Sequence, residues 1–338
     1  MSKTVFASLA RIADLDDRPM VLETVAQENW QTGDYVAADV TGEPTDLYRI
    51  EDTTGEMVPV EAGDRVIGAL GHRAATLEGV GSWTDVVDGH MHCLTNAGLL
   101  GAFTSLSTFL PRPISLDYVG HVMRSTGKLR MQDFALQCED VRFDIPTILL
   151  VGTSMSAGKT STGKLIVELL SQHGQNVIGA KLTGAGRYRD ILSYKQAGAS
   201  EILDFVDVGL PSTVVPEDEF RAAVRPLLGY IGERSPDFLV AEAGASPLEP
   251  YNGDVAIDEL GDSICCSVLC ASDPYAVLGV QKAFGLKPDI VSGPATTTSA
   301  GRDLVKKLTG VDAFNILDPD SLPGFKAALG ERLDLELD

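Results

Sequence analysis

The sequence contains no apolar run approaching the ~20 residues that cross a bilayer as a helix. It is also short of positive charge, with 27 Lys and Arg against 48 Asp and Glu and a net charge of −21. That imbalance argues against non-specific nucleic-acid binding and against residence on an anionic membrane. Cysteine is sparse: five residues, an odd number without framework spacing, which fits a reducing compartment better than a disulfide scaffold. The opening Met1–Ala10 reads as too short and too soon acidic for a secretory signal, so the expected location is cytoplasmic. What is present is globular. The chain is 44% hydrophobic and 22% charged over 338 residues, long enough for two domains with their own cores.

The most informative stretch is Thr147–Thr160, TILLVGTSMSAGKT. A β-prone apolar run enters a glycine-containing loop, then Gly158-Lys159-Thr160, then a helical pattern with Leu165, Ile166, Leu169 and Leu170 on one stripe. This is the order of a phosphate-binding P-loop: strand, loop, helix N-terminus. Backbone N–H groups of Gly152, Thr153, Ser154, Met155, Ser156, Ala157 and Gly158 would form the nest, with Lys159, Thr160 and Ser161 opening the helix whose positive dipole end adds to the same site. Lys159 would reach the terminal phosphates and the Thr160 hydroxyl would meet Mg²⁺. The first glycine, Gly152, stands one residue earlier than the common spacing, where position 153 is Thr.

Residues 1 to about 140 read as β-rich. Met20–Ala26, Asp34–Val40, Leu47–Ile50, Met57–Val60 and Asp64–Leu70 are short β-prone runs, and 51–56 reads as a hairpin loop. A small barrel or sandwich is expected. The run Asp88–Cys93 holds His90, His92 and Cys93, residue types that suit zinc, but in a strand the two histidines share one face and the thiol takes the other. Satisfied core or cleft histidines are the preferred reading. The stretch Thr95–Pro113 mixes Gly, Ser, Thr and Pro and is expected to be a substrate loop or a long connection. The polar segment Gln137–Pro146 makes a domain boundary.

From Pro146 strands expected at 147–151, 177–181, 238–242, 264–270, 289–291 and 313–317 alternate with helices expected around 159–173, 217–231, 273–284 and 299–309, the pattern of a parallel sheet covered on both faces. Ligands of such sheets bind at the carboxyl ends of the strands, where three more motifs fall. Lys181 ends a strand and is followed by a glycine-rich turn with Arg187, Arg189 and Asp190, which suits an anionic ligand. Glu242 ends another, as a second magnesium ligand would. Ser292–Gly301 could cradle a base or ribose, or be a solvated turn with Ser299 as helix cap. No Asn-Lys-x-Asp guanine-reading motif follows a strand, which favours adenine. Cys265, Cys266 and Cys270 read as small buried hydrophobes.

Together the motifs of the second half resemble the dethiobiotin-synthetase-like branch of P-loop proteins. The match rests on Gly152, Thr153, Gly158, Lys159 and Thr160, on Lys181 with Gly184, and on Glu242-Ala243-Gly244-Ala245, where the family has Glu-Gly-Ala-Gly. The resemblance implies that Thr160 and Glu242 hold Mg²⁺ with Asp190 as a third ligand. It also implies that Lys159 and Lys181 stabilise charge on phosphates and on a carboxylate or carbamate. The layout of an extra N-terminal domain before a P-loop half is similar to a group that includes bacterial D-glutamate N-acetyltransferases, which implies acetyl-CoA instead; that group's loop cysteine is absent, with Met155 and Ser156 in its region.

The expected architecture is thus α/β: a β-rich domain over 1–143 and a three-layer P-loop domain with a mostly parallel sheet over 144–338. The expected activity is Mg·ATP-dependent phosphoryl transfer to, or ligation of, a small anionic metabolite, with Lys159, Lys181, Arg187 and Arg189 catalytic. N-acylation of an amino acid from acetyl-CoA and a nucleotide-dependent switch or metallochaperone are the alternatives. Neither nucleic acid nor membrane is an expected partner, and a homodimer is left open.

Overall fold

The computed structural model describes all residues except 1, 14, 16–19, 43–48, 126, 139–142 and 338. They group into two compact units. One comprises Met1–Gln137 with Ala185–Arg189 and Phe205–Val215; the other comprises Cys138–Gly184, Asp190–Asp204 and Pro216–Asp338. Two short segments of the later sequence therefore cluster with the N-terminal residues.

The first unit is built around a closed barrel of five strands, β1 (Tyr35–Val40), β2 (Arg65–Leu70), β3 (His90–Thr95), β4 (Leu99–Leu106) and β5 (Ser115–Arg124), to which shorter strands are added. β1 pairs antiparallel with β2 and β5, β5 with β3, and β3 with β4. A parallel pairing of Leu99 and Leu100 with Ala69 and Leu70 closes β4 onto β2, so both edges of this five-strand ring are paired. Val36, Ala38 and Val40 alternate along β1 into a core with Val66, Leu70, Met91, Leu100 and Leu116. The hairpin expected around 51–56 is present, with Arg49–Glu51 pairing antiparallel with Met57–Pro59; residues 47 and 48 of the expected strand lie outside the described residues.

The expectation of a loop over 95–113 is corrected by β4, which runs through its middle. Its small residues serve close packing rather than a turn: a Cβ on Gly101 would stand 2.6 Å from the carbonyl carbon of Ser82.

The second unit is a parallel α/β sheet. In chain order its elements are β6 (Thr147–Gly152), α1 (Lys159–Gln172), β7 (Val177–Thr183), α2 (Tyr188–Gln196), β8 (Glu201–Asp204), α3 (Glu217–Arg234) and β9 (Phe238–Ala243). There follow α4 (Gly253–Leu260), β10 (Ile264–Cys270), α5 (Pro274–Phe284), β11 (Ile290–Ser292), α6 (Ser299–Thr309), β12 (Asp312–Ala313) and α7 (Leu322–Leu333). The strands lie in the order β8-β7-β9-β6-β10-β11-β12, every pair parallel. Every residue of β6, β7 and β9 is buried, which is why these strands read as unbroken apolar runs rather than alternating ones.

The chain moves outward from β6 to β7 and β8, returns to β9, and crosses to β10 on the other side of β6. The tip of β6 therefore lies at a switch in direction, where ligands of open α/β sheets bind. Helices α2, α4 and α7 and strand β8 were not foreseen. The strand expected at 313–317 is cut to Asp312–Ala313, because Asn315 turns the chain by accepting the Leu317 N–H on its side-chain oxygen at 3.1 Å. Residues 139–142 of the expected boundary lie outside the described residues. Among the described residues, no helix is long and apolar enough to cross a membrane.

Candidate functional site

The loop after β6 is held on both sides. The Thr153 N–H donates to the Cys270 carbonyl at the tip of β10 at 3.0 Å. Gly158 caps α1 in the left-handed region at φ +95°, a backbone state that costs glycine nothing. The first turn of α1 contains no acidic side chain of its own, and its N–H groups and positive dipole end face the loop. Gly293, which follows β11, must be glycine for a further reason: a Cβ there would stand 2.3 Å from the Ala157 carbonyl oxygen. The motif after β11 thus abuts the P-loop, and the cap of α6 is Thr298, which accepts the Gly301 N–H at 3.1 Å, rather than the expected Ser299.

Lys159 is 2% exposed. Its Nζ donates to the Ser154 carbonyl at 2.8 Å and to the Ala245 carbonyl at 3.3 Å. Ala245 presents that carbonyl from the left-handed region, at φ +59°, an uncommon state for a residue with a Cβ. Burial lowers the Lys159 ammonium below the ordinary lysine value, an effect that Glu242 partly opposes. Phosphate oxygens entering the loop would supply the negative charge that this ammonium needs.

Beside it, side chains from three strand tips stand in register. Asp204 on β8 is opposite Lys181 on β7, and Lys181 is opposite Glu242 on β9. In-register neighbours point to the same face, so negative, positive and negative groups alternate along one row, all at most 5% exposed. The Lys181 Nζ donates to Asp190 Oδ2 at 2.6 Å. Burial pulls the Lys181 ammonium down, but the carboxylates of Asp190, Glu242 and Asp204 more than offset this and hold its pKa above the ordinary value. Two buried cations thus occupy the site under different control, Lys159 by backbone carbonyls and Lys181 by carboxylates.

The Thr160 hydroxyl donates to Glu242 Oε2 at 3.1 Å. A hydroxyl and a carboxylate beside a phosphate cradle fit magnesium, which takes oxygen ligands and completes its shell with water and substrate phosphates. Asp190, expected as a third ligand, pairs with Lys181. Arg187 and Arg189 are exposed and fall in the other unit. There the Arg189 backbone N–H donates to Glu51 Oε1 at 2.9 Å, in the first turn of a helix where a loop was expected. His90 pairs with Asp117 at 2.5 Å, His92 accepts from the Phe103 N–H at 3.3 Å, and Cys93 is buried. Burial pushes the thiol of Cys270 up to about 11, in keeping with its place in the apolar core.

Tyr194 is the residue that sequence reading missed. It is fully buried, and its hydroxyl donates to Glu242 Oε2 at 3.3 Å. Burial, then the Glu242 and Asp190 carboxylates, push its phenol far up, so it stays a donor. The signal available was indirect: Gly163 sits inside a helix and Gly179 inside a strand, where glycine is ordinarily unfavourable.

No protein-family model and no curated protein matches the chain. Solved structures resemble parts of it. HypB from Helicobacter pylori in complex with nickel is 17% identical over 56% of this chain and 88% of that one, with a TM-score of 0.37. FtsY from Mycoplasma mycoides is 13% identical over 53% of this chain and 62% of that one, with a TM-score of 0.35. FlhF complexed with GTP and Mg²⁺ is 17% identical over 54% and 70%, with a TM-score of 0.33. Likeness at this level carries no functional argument. On its own geometry of strand, glycine loop, buried lysine and hydroxyl–carboxylate pair, the second unit is a parallel α/β domain with a P-loop.

Proposed function

We propose that this protein binds Mg·ATP in the P-loop and transfers its terminal phosphoryl group to a small carboxylate or carbamate, either as the final product or as the activated step of a ligation. One observation carries the reading. A second buried lysine, Lys181, stands in register with Glu242, the carboxylate that meets Thr160. A nucleotide cradle needs one lysine on the phosphates; a second buried cation at the neighbouring strand tip suits the oxygen of an anionic co-substrate.

Catalysis here is positioning and charge neutralisation. Loop amides and the α1 N-terminus hold the phosphates. Lys159 leaves the Ser154 and Ala245 carbonyls to meet the terminal phosphate. Magnesium, when held by Thr160 and Glu242, supplies positive charge to the same oxygens. Lys181 orients the co-substrate oxygen, which attacks the terminal phosphorus in line. The bond between that phosphorus and the bridging oxygen breaks, giving an acyl or carbamoyl phosphate and ADP. The sequence motifs that resemble the dethiobiotin-synthetase-like branch support the same reading, since that resemblance implies a carboxylate or carbamate substrate.

The test is ADP release from Mg·ATP against a panel of small mono- and dicarboxylates, and of amines with bicarbonate. Release that depends on one acid supports phosphoryl transfer. Release without any acid points to a switch. No release, with consumption of acetyl-CoA and an amino acid, replaces the reading with N-acyl transfer.

A further inference from the structure

The geometry points to Tyr194 as a positioning residue that fixes Glu242 for the magnesium site, an inference that rests on the nucleotide reading above. The chain is built to deliver this one hydroxyl. A Cβ on Gly163 would stand 2.1 Å from Tyr194 Oη, and a Cβ on Gly179 would stand 2.7 Å from its ring. The two glycines, one on α1 and one on β7, open a slot that the tyrosine ring fills. The helix that carries Tyr194 also carries Asp190, and Asp190 holds Lys181 at 2.6 Å. One short helix therefore sets both neighbours of the row, the Lys181 ammonium and the Glu242 carboxylate.

At Glu242 the Tyr194 hydroxyl and the Thr160 hydroxyl donate to the same oxygen, Oε2, at 3.3 and 3.1 Å. Two donors on one oxygen define the rotation of the carboxylate. A glutamate side chain otherwise has three torsions to settle, and a wandering carboxylate makes a poor metal ligand. Partners of this kind, which touch a ligand rather than the ion, govern metal affinity in many sites. Tyr194 is too deeply buried to meet substrate, and its hydroxyl reaches the site through Glu242 alone among the hydrogen bonds described for it.

The test separates magnesium from nucleotide. A fluorescent ATP analogue is titrated onto wild type and Tyr194→Phe, first without divalent cation and then at rising Mg²⁺. Tyr194→Phe keeps the ring that fills the slot, so binding without Mg²⁺ is expected to stay at the wild-type value. The Mg²⁺ concentration for half-maximal enhancement is expected to rise roughly tenfold. Gly163→Ala, which displaces the hydroxyl from the other side, is expected to raise the same Mg²⁺ requirement. A wild-type Mg²⁺ requirement in Tyr194→Phe overturns the role of Tyr194. Absence of any Mg²⁺ effect in the wild type overturns the nucleotide reading instead.

Discussion

A Cβ on Gly152 would stand 2.5 Å from Lys159 Nζ and 2.9 Å from the Ala245 carbonyl oxygen. The lysine side chain runs over a bare Cα at the end of β6. This gives the early glycine, one position off the common spacing, a reason in contact terms: residue 152 must be small where the lysine folds back. Gly152→Ala is expected to overpack the site by about 1–3 kcal/mol. It is also expected to weaken nucleotide binding roughly tenfold, equivalent to about 1.4 kcal/mol, as read by urea unfolding and by titration of a fluorescent nucleotide. Thr153→Gly, which restores the common spacing without the clash, is expected to bind as wild type.

Lys159 gives a pH signature. Its folded pKa lies below the ordinary 10.5 because it is buried. Between those two values the unfolded chain holds a proton that the folded chain has released, so unfolding free energy from this group rises with pH. The buried thiols of Cys93 and Cys266, pushed up to about 12, and of Cys270, pushed up to about 11, act in the opposite direction above their ordinary value. Subtracting Lys159→Met from wild type removes their contribution to first order. The wild type is expected to gain on the variant as pH approaches 10.5, while its affinity for phosphate falls over the same window. A difference that stays flat with pH would contradict burial as the controlling effect.

The P-loop half was legible because its signals are local. An apolar run, a Gly-Lys-Thr and a helical stripe lie within 25 or so consecutive positions, roughly the span of one strand–loop–helix unit, and the structure places them as read. Lys181 and Glu242 were legible for the same reason, as charges at the ends of apolar strands. The contacts that define the site were not, because they are long-range. Tyr194 meets Glu242 across 48 positions. The helix over 188–196 was not foreseen because it is nine residues long with only Ile191 and Tyr194 buried, too few for a visible stripe. In the barrel, β4 was hidden by the glycines and hydroxyl residues that let strands pack closely.

The Lys181–Asp190 pair is expected to be strongly coupled. Lys181→Met removes the cation from between Asp190, Glu242 and Asp204 and leaves carboxylates facing one another. The expected cost is about 3–5 kcal/mol. Lys181→Met with Asp190→Asn is expected to recover a large part of it, and a double-mutant cycle by urea unfolding measures the coupling. Additive losses would mean that the lysine is held by other groups.

Glu51 is expected to matter for stability rather than for chemistry. It is 1% exposed and accepts from Ser8 Oγ at 2.6 Å, the Tyr188 N–H at 2.8 Å and the Arg189 N–H at 2.9 Å. It thus caps the first turn of α2 with a charge of the sign that the helix N-terminus favours. Glu51→Gln keeps the shape and removes the charge; a loss of about 2 kcal/mol is expected. Faster amide exchange at Tyr188 and Arg189 would locate the loss at the cap.

The most direct measurement is the thermal midpoint of wild type and Lys159→Ala with Mg·ATP, Mg·GTP and acetyl-CoA added separately. A ligand present at about a hundred times its dissociation constant stabilises the folded state by about 2.7 kcal/mol. A rise in midpoint with Mg·ATP that vanishes in Lys159→Ala is the expected result. A rise with acetyl-CoA alone, or an equal rise with Mg·ATP in both proteins, would contradict a nucleotide held by this lysine.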